Sequence, residues 1–104
     1  MHDAESFAAG TSSLLGRLRE LGLASHHTVV EFGCGSLRIG QHFIRILEPG
    51  RYWGLDITDR FFSDGLTMLD ARERNAKSPA CRVISSSTLD EAAQAKPDFV
   101  VSIA

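Results

Sequence analysis

The stretch at residues 28–36, TVVEFGCGS, decides the fold of this chain. Its first five residues are mostly β-branched or aromatic, which favours a buried strand. Gly33 and Gly35 follow at once, and glycines at the end of such a run indicate a tight turn. Apolar residues then recur at helical spacing from Leu37 to Leu47, and Ser36 is a residue type that caps helices. The stretch therefore predicts a strand, a glycine turn and a helix.

The same unit of strand followed by helix recurs along the chain. The predicted strands are Thr28–Phe32, Arg51–Ile57, Cys81–Ile84 and Asp98–Ala104. A helix capped by Thr58 or Asp59 follows the second strand, and a loop at Asn75–Pro79 comes after that helix. Beyond the third strand, Ser85–Ser87 is predicted as a turn, and Thr88 opens a short helix with a capping box.

A further helix is predicted before the first strand. Apolar residues at near-helical spacing extend over Ala4–Leu21, and Gly22 stands where a glycine commonly ends a helix. This alternation of helices and strands is typical of an α/β domain on a parallel sheet with right-handed crossovers. With 104 residues, 43% hydrophobic and 23% charged, residues 1–104 have the size and composition of a single domain.

Charge and cysteine content restrict the function further. The formal net charge of −2 argues against a nucleic-acid partner. Cys34 and Cys81 have no Cys-x-x-Cys spacing, so neither a disulfide scaffold nor a metal site is predicted. Asp3 and Glu5 stand where a secretory signal would be basic, and no apolar run approaches the roughly 18 residues of a membrane span. We therefore expect a cytoplasmic protein without a membrane partner.

One acidic residue follows the glycine turn at an informative distance. Asp56 lies 21 residues after Gly35, at the predicted end of the second strand. A glycine turn lets backbone N–H groups approach a ligand, and a carboxylate at the tip of the next strand can accept both hydroxyls of a ribose. The glycines alone are at least as typical of a plain strand-to-helix turn, and the added acid favours a nucleoside site.

The spacing also bears on which nucleoside is bound. The dinucleotide fingerprint needs a third glycine where Arg38 stands, and no glycine-rich loop with Lys-Ser/Thr occurs. A nicotinamide or triphosphate ligand is therefore disfavoured. Two alternatives to a site for another nucleoside stay open. One is an NAD-type Rossmann-like module, and the other is a non-catalytic fragment that folds or associates without a ligand.

The chain resembles the class I S-adenosylmethionine-dependent methyltransferases in three motifs, which occur in the family's order. EFGCG at residues 31–35 matches the family's acid-x-Gly-x-Gly motif after the first strand. Asp56 matches the acid that follows the second strand, and DFVVS at residues 98–102 is similar to the fourth-strand motif. The sequence departs from the family at Leu37, where a further glycine is frequent, and at Ser85–Ser87, where an acid frequently follows the third strand.

The resemblance implies a fold, a cofactor and a set of contacts. The fold would be a Rossmann-like, three-layer α/β domain with helices on both faces of a parallel sheet in the strand order 3-2-1-4. The cofactor would be S-adenosylmethionine, and the function would be methyl transfer to an unidentified acceptor. The residues expected to bind the cofactor are Glu31, Gly33, Cys34, Gly35, Asp56, Ile57, Ser86 and Ser102.

The resemblance also implies that part of the family's domain is missing. The family's sheet usually has seven strands and this chain provides four, so we expect a domain truncated after the fourth strand. Residues that select the acceptor would lie beyond Ala104, and we assign no catalytic residue. An apolar fourth strand at Phe99–Ile103 would leave an open sheet edge, for which a homodimer or a partner chain is predicted.

Overall fold

The protein is described by a computed structural model that covers residues 14–102. Strands and helices alternate along this part of the chain. The strands are β1 (Val29–Phe32), β2 (Tyr52–Asp56), β3 (Ala80–Val83) and β4 (Phe99–Ser102). The helices are α1 (residues 14–20), α2 (Gly40–Ile46), α3 (Arg60–Thr67), α4 (Ala71–Lys77) and α5 (Ser86–Gln94).

The four strands form one parallel sheet in the order β3-β2-β1-β4. The chain therefore builds the sheet outward from β1 to β3 and then returns to the other side of β1. The predicted α/β, Rossmann-like fold with strand order 3-2-1-4 is confirmed. Such a reversal is a topological switch point, and open α/β sheets bind ligands at the carboxyl ends of the strands beside it.

The two faces of the sheet are covered differently. The wide face, as we call it, carries the side chains of Val29, Tyr52 and Cys81, and it packs against α1, α2 and α3 in the larger core. The narrow face carries Val30 and Leu55, and it packs against α5 in a smaller cluster. Helices thus lie on both faces, as predicted, because the return from β3 to β4 reverses the direction of the crossover.

The helix after the glycine turn begins later than the sequence predicts. α2 starts at Gly40, and its N-cap residue Ile39 has no side-chain capping bond, so the prediction that Ser36 caps this helix is wrong. Between Ser36 and Ile39, Leu37 adopts a left-handed backbone conformation with φ of 67°, and its side chain is 1% exposed. Burial of Leu37 in the larger core, on the wide face, turns the chain away from a helical path at this point.

A separate helix, α4, includes residues 75–77 of the loop predicted at residues 75–79, and residues 78–79 are not helical. The side chain of Asp70 accepts hydrogen bonds from the backbone N–H groups of Arg72 and Glu73, which nucleates α4 as a new helix. Lys77 ends the helix against the C-terminus of α2, where its ammonium donates to the carbonyl of Leu47 at 2.6 Å. These capping contacts extend helical structure through residue 77.

The other boundaries shift by small amounts. Ser85 is the N-cap of α5, and Ser85 and Thr88 bond each other's backbone N–H reciprocally, so the predicted turn at residues 85–87 is the cap and first helical turn. Thr58 accepts from the backbone N–H of Arg60 at 3.2 Å, whereas Asp59 makes no capping bond. The predicted helix at residues 4–21 is helical over 14–20 and ends before Gly22 with φ of 103°; its residues 4–13 lie outside the described part.

Candidate functional site

The glycine turn lies at the carboxyl end of β1, next to the switch point. Gly33 and Gly35 both have positive φ, at 74° and 52°. A Cβ atom at either position would meet no atom within 4 Å, so the backbone conformation rather than lack of space calls for glycine. The N–H groups of Gly33 and Cys34 both donate to the carbonyl of Leu55, which ties the turn to β2.

Asp56 is bonded directly to this turn. The backbone N–H of Gly35 donates to Oδ2 of Asp56 at 2.8 Å, and the N–H of Ile57 donates to Oδ1 at 2.7 Å. The carboxylate is therefore fixed between the turn and the end of β2. Each carboxylate oxygen can accept a second hydrogen bond, so the half-buried Asp56 still has acceptor capacity for a ligand.

Glu31 brings a second carboxyl group to the same place from the interior. The residue is 3% exposed, and Oε1 accepts a hydrogen bond from the hydroxyl of Tyr52 at 2.7 Å. Burial raises the pKa of Glu31 to about 7; the Tyr52 hydrogen bond opposes this shift and the charge of Asp56 adds to it. Glu31 can therefore change its charge near neutral pH.

An open cavity of about 230 Å³ lies beside Glu31 and the glycine turn. Its lining residues are Glu31, Gly33, Cys34, Gly35, Ser36, Arg38 and Ile39. Pockets that hold a whole drug-sized ligand measure about 300–1,000 Å³. The cavity therefore has room for part of a ligand of that size.

Close packing of α3 supports the outer part of the turn. A Cβ atom at Gly65 would collide with the backbone carbonyl of Ser36 and lie 3.1 Å from Leu37. Glycine at this position lets α3 approach the chain that follows Gly35. Gly65 therefore supports the site, and the sequence analysis missed it because a lone glycine inside a helical pattern has several explanations.

The predicted binding residues fall into two groups. Glu31, Gly33, Cys34 and Gly35 line one cavity, and Asp56 is hydrogen-bonded to that group. Ile57 follows Asp56 and is 82% exposed, so its side chain is open to a ligand or to solvent.

The two predicted serines are less closely connected to the site. Ser86 and Ser102 are exposed, and Ser102 pairs in register with Phe32, the residue before the turn. Within residues 14–102, no hydrogen bond joins either serine to the turn.

Cys34 lines the cavity mainly as a packing residue. Its side chain is 5% exposed, and desolvation raises its pKa to about 12. A Cβ atom at Gly54 would lie 3.1 Å from the Cys34 sulfur, which shows how closely the thiol packs on β2. A protonated, buried thiol is a poor nucleophile, so this arrangement does not favour covalent chemistry at Cys34.

Asp98 lies at the opposite end of the sheet from the turn. Its Oδ2 accepts a hydrogen bond from the backbone N–H of Thr28 at 2.8 Å, and its own N–H donates to the carbonyl of Thr28. These bonds join the amino ends of β1 and β4. Asp98 is therefore a structural residue and not part of the candidate site.

Comparisons with known proteins identified no relative of this chain. No protein-family model matches the chain, and the searches of curated proteins and of solved structures gave no significant match. Within residues 14–102, no cluster of three or more His, Cys, Asp or Glu residues could hold a metal ion. In the same residues, every helix is too short or too polar to cross a membrane.

Proposed function

We propose that this chain is an S-adenosylmethionine-dependent methyltransferase, or the cofactor-binding part of one, which transfers a methyl group to an unidentified acceptor. The observation that carries the proposal is the hydrogen bond between the Gly35 N–H and Asp56. It unites a left-handed glycine turn and the acid of the next strand at a switch point, where nucleoside ligands bind in this class of fold.

The residues of the site fit the parts of such a cofactor. The free lone pairs of Asp56 can accept ribose hydroxyls, and the open backbone at Gly33 allows close approach. Glu31, once ionised, is an acceptor for a cationic group that enters the cavity. When bound, S-adenosylmethionine supplies a methyl group on a sulfonium, and the role of these residues is to bind and orient it for in-line displacement.

An NAD-type ligand is less compatible with the same turn. Dinucleotide sites place the pyrophosphate at the start of a helix that follows the glycines directly. Here α2 begins only at Gly40, and Arg38 occupies the position of the third glycine. This arrangement favours a ligand without a pyrophosphate.

The proposal includes a cellular setting. Cys34 and Cys81 are free and buried, as expected in a reducing compartment. We therefore propose a cytoplasmic protein.

Calorimetric titration with S-adenosylhomocysteine, with NAD as a comparison ligand, tests the proposal. Asp56→Asn is the informative variant, because the amide keeps an oxygen for the Gly35 N–H, loses the charge and replaces the oxygen that accepts from the Ile57 N–H by an NH2 group. We expect saturable binding of S-adenosylhomocysteine, at least about tenfold weaker in Asp56→Asn, since hydrogen bonds to charged groups contribute about 1.5–3 kcal/mol. Asp59→Asn is the matched control, because Asp59 is exposed and makes no capping bond.

Each other result has a distinct meaning. Saturable binding of NAD that competes with S-adenosylhomocysteine would replace the proposal by an NAD-type module. Absence of binding by a chain with a native circular dichroism spectrum would contradict both ligand hypotheses and favour the non-catalytic fragment.

A further inference from the structure

Among residues 14–102, Tyr52 is the side-chain hydrogen-bond donor to the buried carboxyl group of the site. Its side chain is 2% exposed, and its hydroxyl donates to Glu31 at 2.7 Å. The ring stacks on Phe43 of α2, with centroids 6.2 Å apart and planes inclined by 16°. Tyr52 is outside the cavity lining, so it can act on a ligand only through Glu31.

Two glycines leave the space that the Tyr52 hydroxyl occupies. A Cβ atom at Gly54 would lie 2.8 Å from the hydroxyl oxygen, and a Cβ atom at Gly40 would collide with it. The hydroxyl therefore occupies a slot between β2 and α2 that exists only because both residues lack side chains. The ring also stacks on Phe43, so both ends of the Tyr52 side chain that makes the hydrogen bond to Glu31 are packed.

The surroundings of Glu31 make this hydrogen bond consequential. The titratable groups that face Glu31 are Tyr52 and Asp56 on β2, Cys34 in the turn and Cys81 on β3, and Arg38 lines the same cavity. Asp56 disfavours the ionised form of Glu31, and the two buried thiols are neutral. The phenol is the group that favours ionisation by direct contact.

We propose that Tyr52 is a positioning residue, which holds the Glu31 carboxyl toward the cavity for a cationic group of the ligand and sets the pH range in which that ligand binds. The inference rests on the proposed function, because the cationic group is the ammonium of the amino-acid end of S-adenosylhomocysteine. Protonation of Glu31 would leave that ammonium without its counter-charge, so binding should strengthen as the carboxyl ionises.

The test is the affinity for S-adenosylhomocysteine of wild type and Tyr52→Phe between pH 5.5 and 8.5. Phe keeps the ring between the two glycines and removes only the hydroxyl. We expect the pH midpoint of binding to move upward in Tyr52→Phe, with about tenfold weaker binding at pH 7, because the ionised carboxyl loses its donor. Glu31→Gln should bind weakly at every pH, and adding Tyr52→Phe to it should cause little further loss.

A second variant moves the hydroxyl without deleting it. Gly54→Ala places a Cβ atom against both the Tyr52 hydroxyl and the Cys34 side chain, and its displacement of the hydroxyl should shift the pH midpoint in the same direction. Gly16→Ala is the matched control, because a Cβ atom there meets nothing within 4 Å. We expect it to leave the pH midpoint unchanged.

The failures of the two proposals are distinguishable. If wild type binds S-adenosylhomocysteine and Tyr52→Phe keeps the wild-type pH midpoint, the positioning role is overturned and the proposed function stands. A loss of the same size at every pH would also overturn it, since that is the result of a purely structural role. If folded wild type binds no S-adenosylhomocysteine at any pH, the proposed function fails and the positioning role fails with it.

Discussion

The two faces of the sheet differ in how completely they are covered. On the wide face, side chains of three helices enclose Val29, Tyr52 and Cys81, and even a carboxyl group is buried there. On the narrow face, α5 covers Val30 and Leu55 but leaves other apolar residues partly exposed. The difference follows from the topology, because the crossovers from β1 through β3 lie on one side and only the return to β4 lies on the other.

This asymmetry places the candidate site on the better-packed side. Glu31 and Asp56 alternate with Val30 and Leu55 along their strands, so both carboxyl groups lie on the wide-face side of the sheet. A dense, water-poor surrounding strengthens the interactions of fixed polar groups. The narrow face has no comparable buried polar pair among the described residues, and its apolar residues serve packing.

The largest expected effect compares one phenylalanine from each face. Phe43 on the wide face is 0% exposed, whereas Phe32 on the narrow face is partly buried. We expect Phe43→Ala to lower the free energy of unfolding by about 4 kcal/mol, because it leaves a cavity in a dense core. Phe32→Ala should cost about 1.5 kcal/mol, in proportion to the smaller area it buries.

Urea unfolding at one pH measures both losses. If Phe43→Ala does not fold, Phe43→Leu serves in its place, with Phe32→Leu as its counterpart on the narrow face. Equal losses at the two positions would contradict the difference in packing between the faces.

The next effect tests the buried carboxyl group of the wide face. The pKa of Glu31 is raised from 4.5 to about 7, so between these values the folded protein binds a proton that the unfolded chain has released. The free energy of unfolding should therefore fall as the pH rises through this window, by about 3 kcal/mol when complete. Below pH 4.5 the stabilising contribution is fully present, and above the folded-state pKa it is lost.

Urea unfolding of wild type and Glu31→Gln at several pH values between 5 and 8 checks this prediction. Glu31→Gln should lack the fall in stability, because an amide does not titrate. The exposed Glu48→Gln is the matched control and should keep the wild-type pH dependence. An identical slope in wild type and Glu31→Gln would mean that Glu31 is not the titrating group.

The smallest expected effect on stability concerns Val100, whose side chain lies on the narrow-face side of β4. Val100 is 61% exposed, and the apolar fourth strand predicts pairing with a second copy or another chain. Val100→Lys should change the free energy of unfolding by no more than about 0.5 kcal/mol, because the side chain is exposed. It should also reduce any concentration-dependent self-association, measured by light scattering.

Val83→Lys on β3 provides the comparison at the other edge of the sheet, where the side chain is 40% exposed. Association that Val83→Lys weakens and Val100→Lys leaves unchanged would contradict the prediction for β4. A wild-type chain that stays monomeric at high concentration would contradict the homodimer.

Much of the fold was predictable because its signals are local. The β-branched run before Gly33 marks β1, and the repeated strand and helix pattern gives the class. The start of α2 was not predictable, since it depends on burial of Leu37 by helices distant in sequence. α4 was missed because Asp70 acts as a cap only once α3 has ended at Thr67.

The candidate site divides in the same way. The 21-residue spacing was enough to predict that Asp56 ends the second strand, but it did not predict the hydrogen bond from the Gly35 N–H to Asp56. The contact between Tyr52 and Glu31 was not predictable, because its slot lies between Gly40 of α2 and Gly54 of β2, and the sequence does not show that α2 packs on Tyr52. A contact of this kind depends on tertiary packing and leaves no periodic pattern in the sequence.

The position of β1 in the sheet also has a consequence for the order of folding. β1 pairs with β2 across a short stretch of chain, whereas Val29 of β1 and its partner Phe99 of β4 are 70 residues apart. Closing the longer loop costs more chain entropy and is slower, so we expect β4 to join last. In a pulsed hydrogen-exchange experiment, amides at the β1–β2 junction should then become protected before those of β4. During synthesis the glycine turn and Asp56 would come together while the edge of β1 that pairs with β4 is still unpaired.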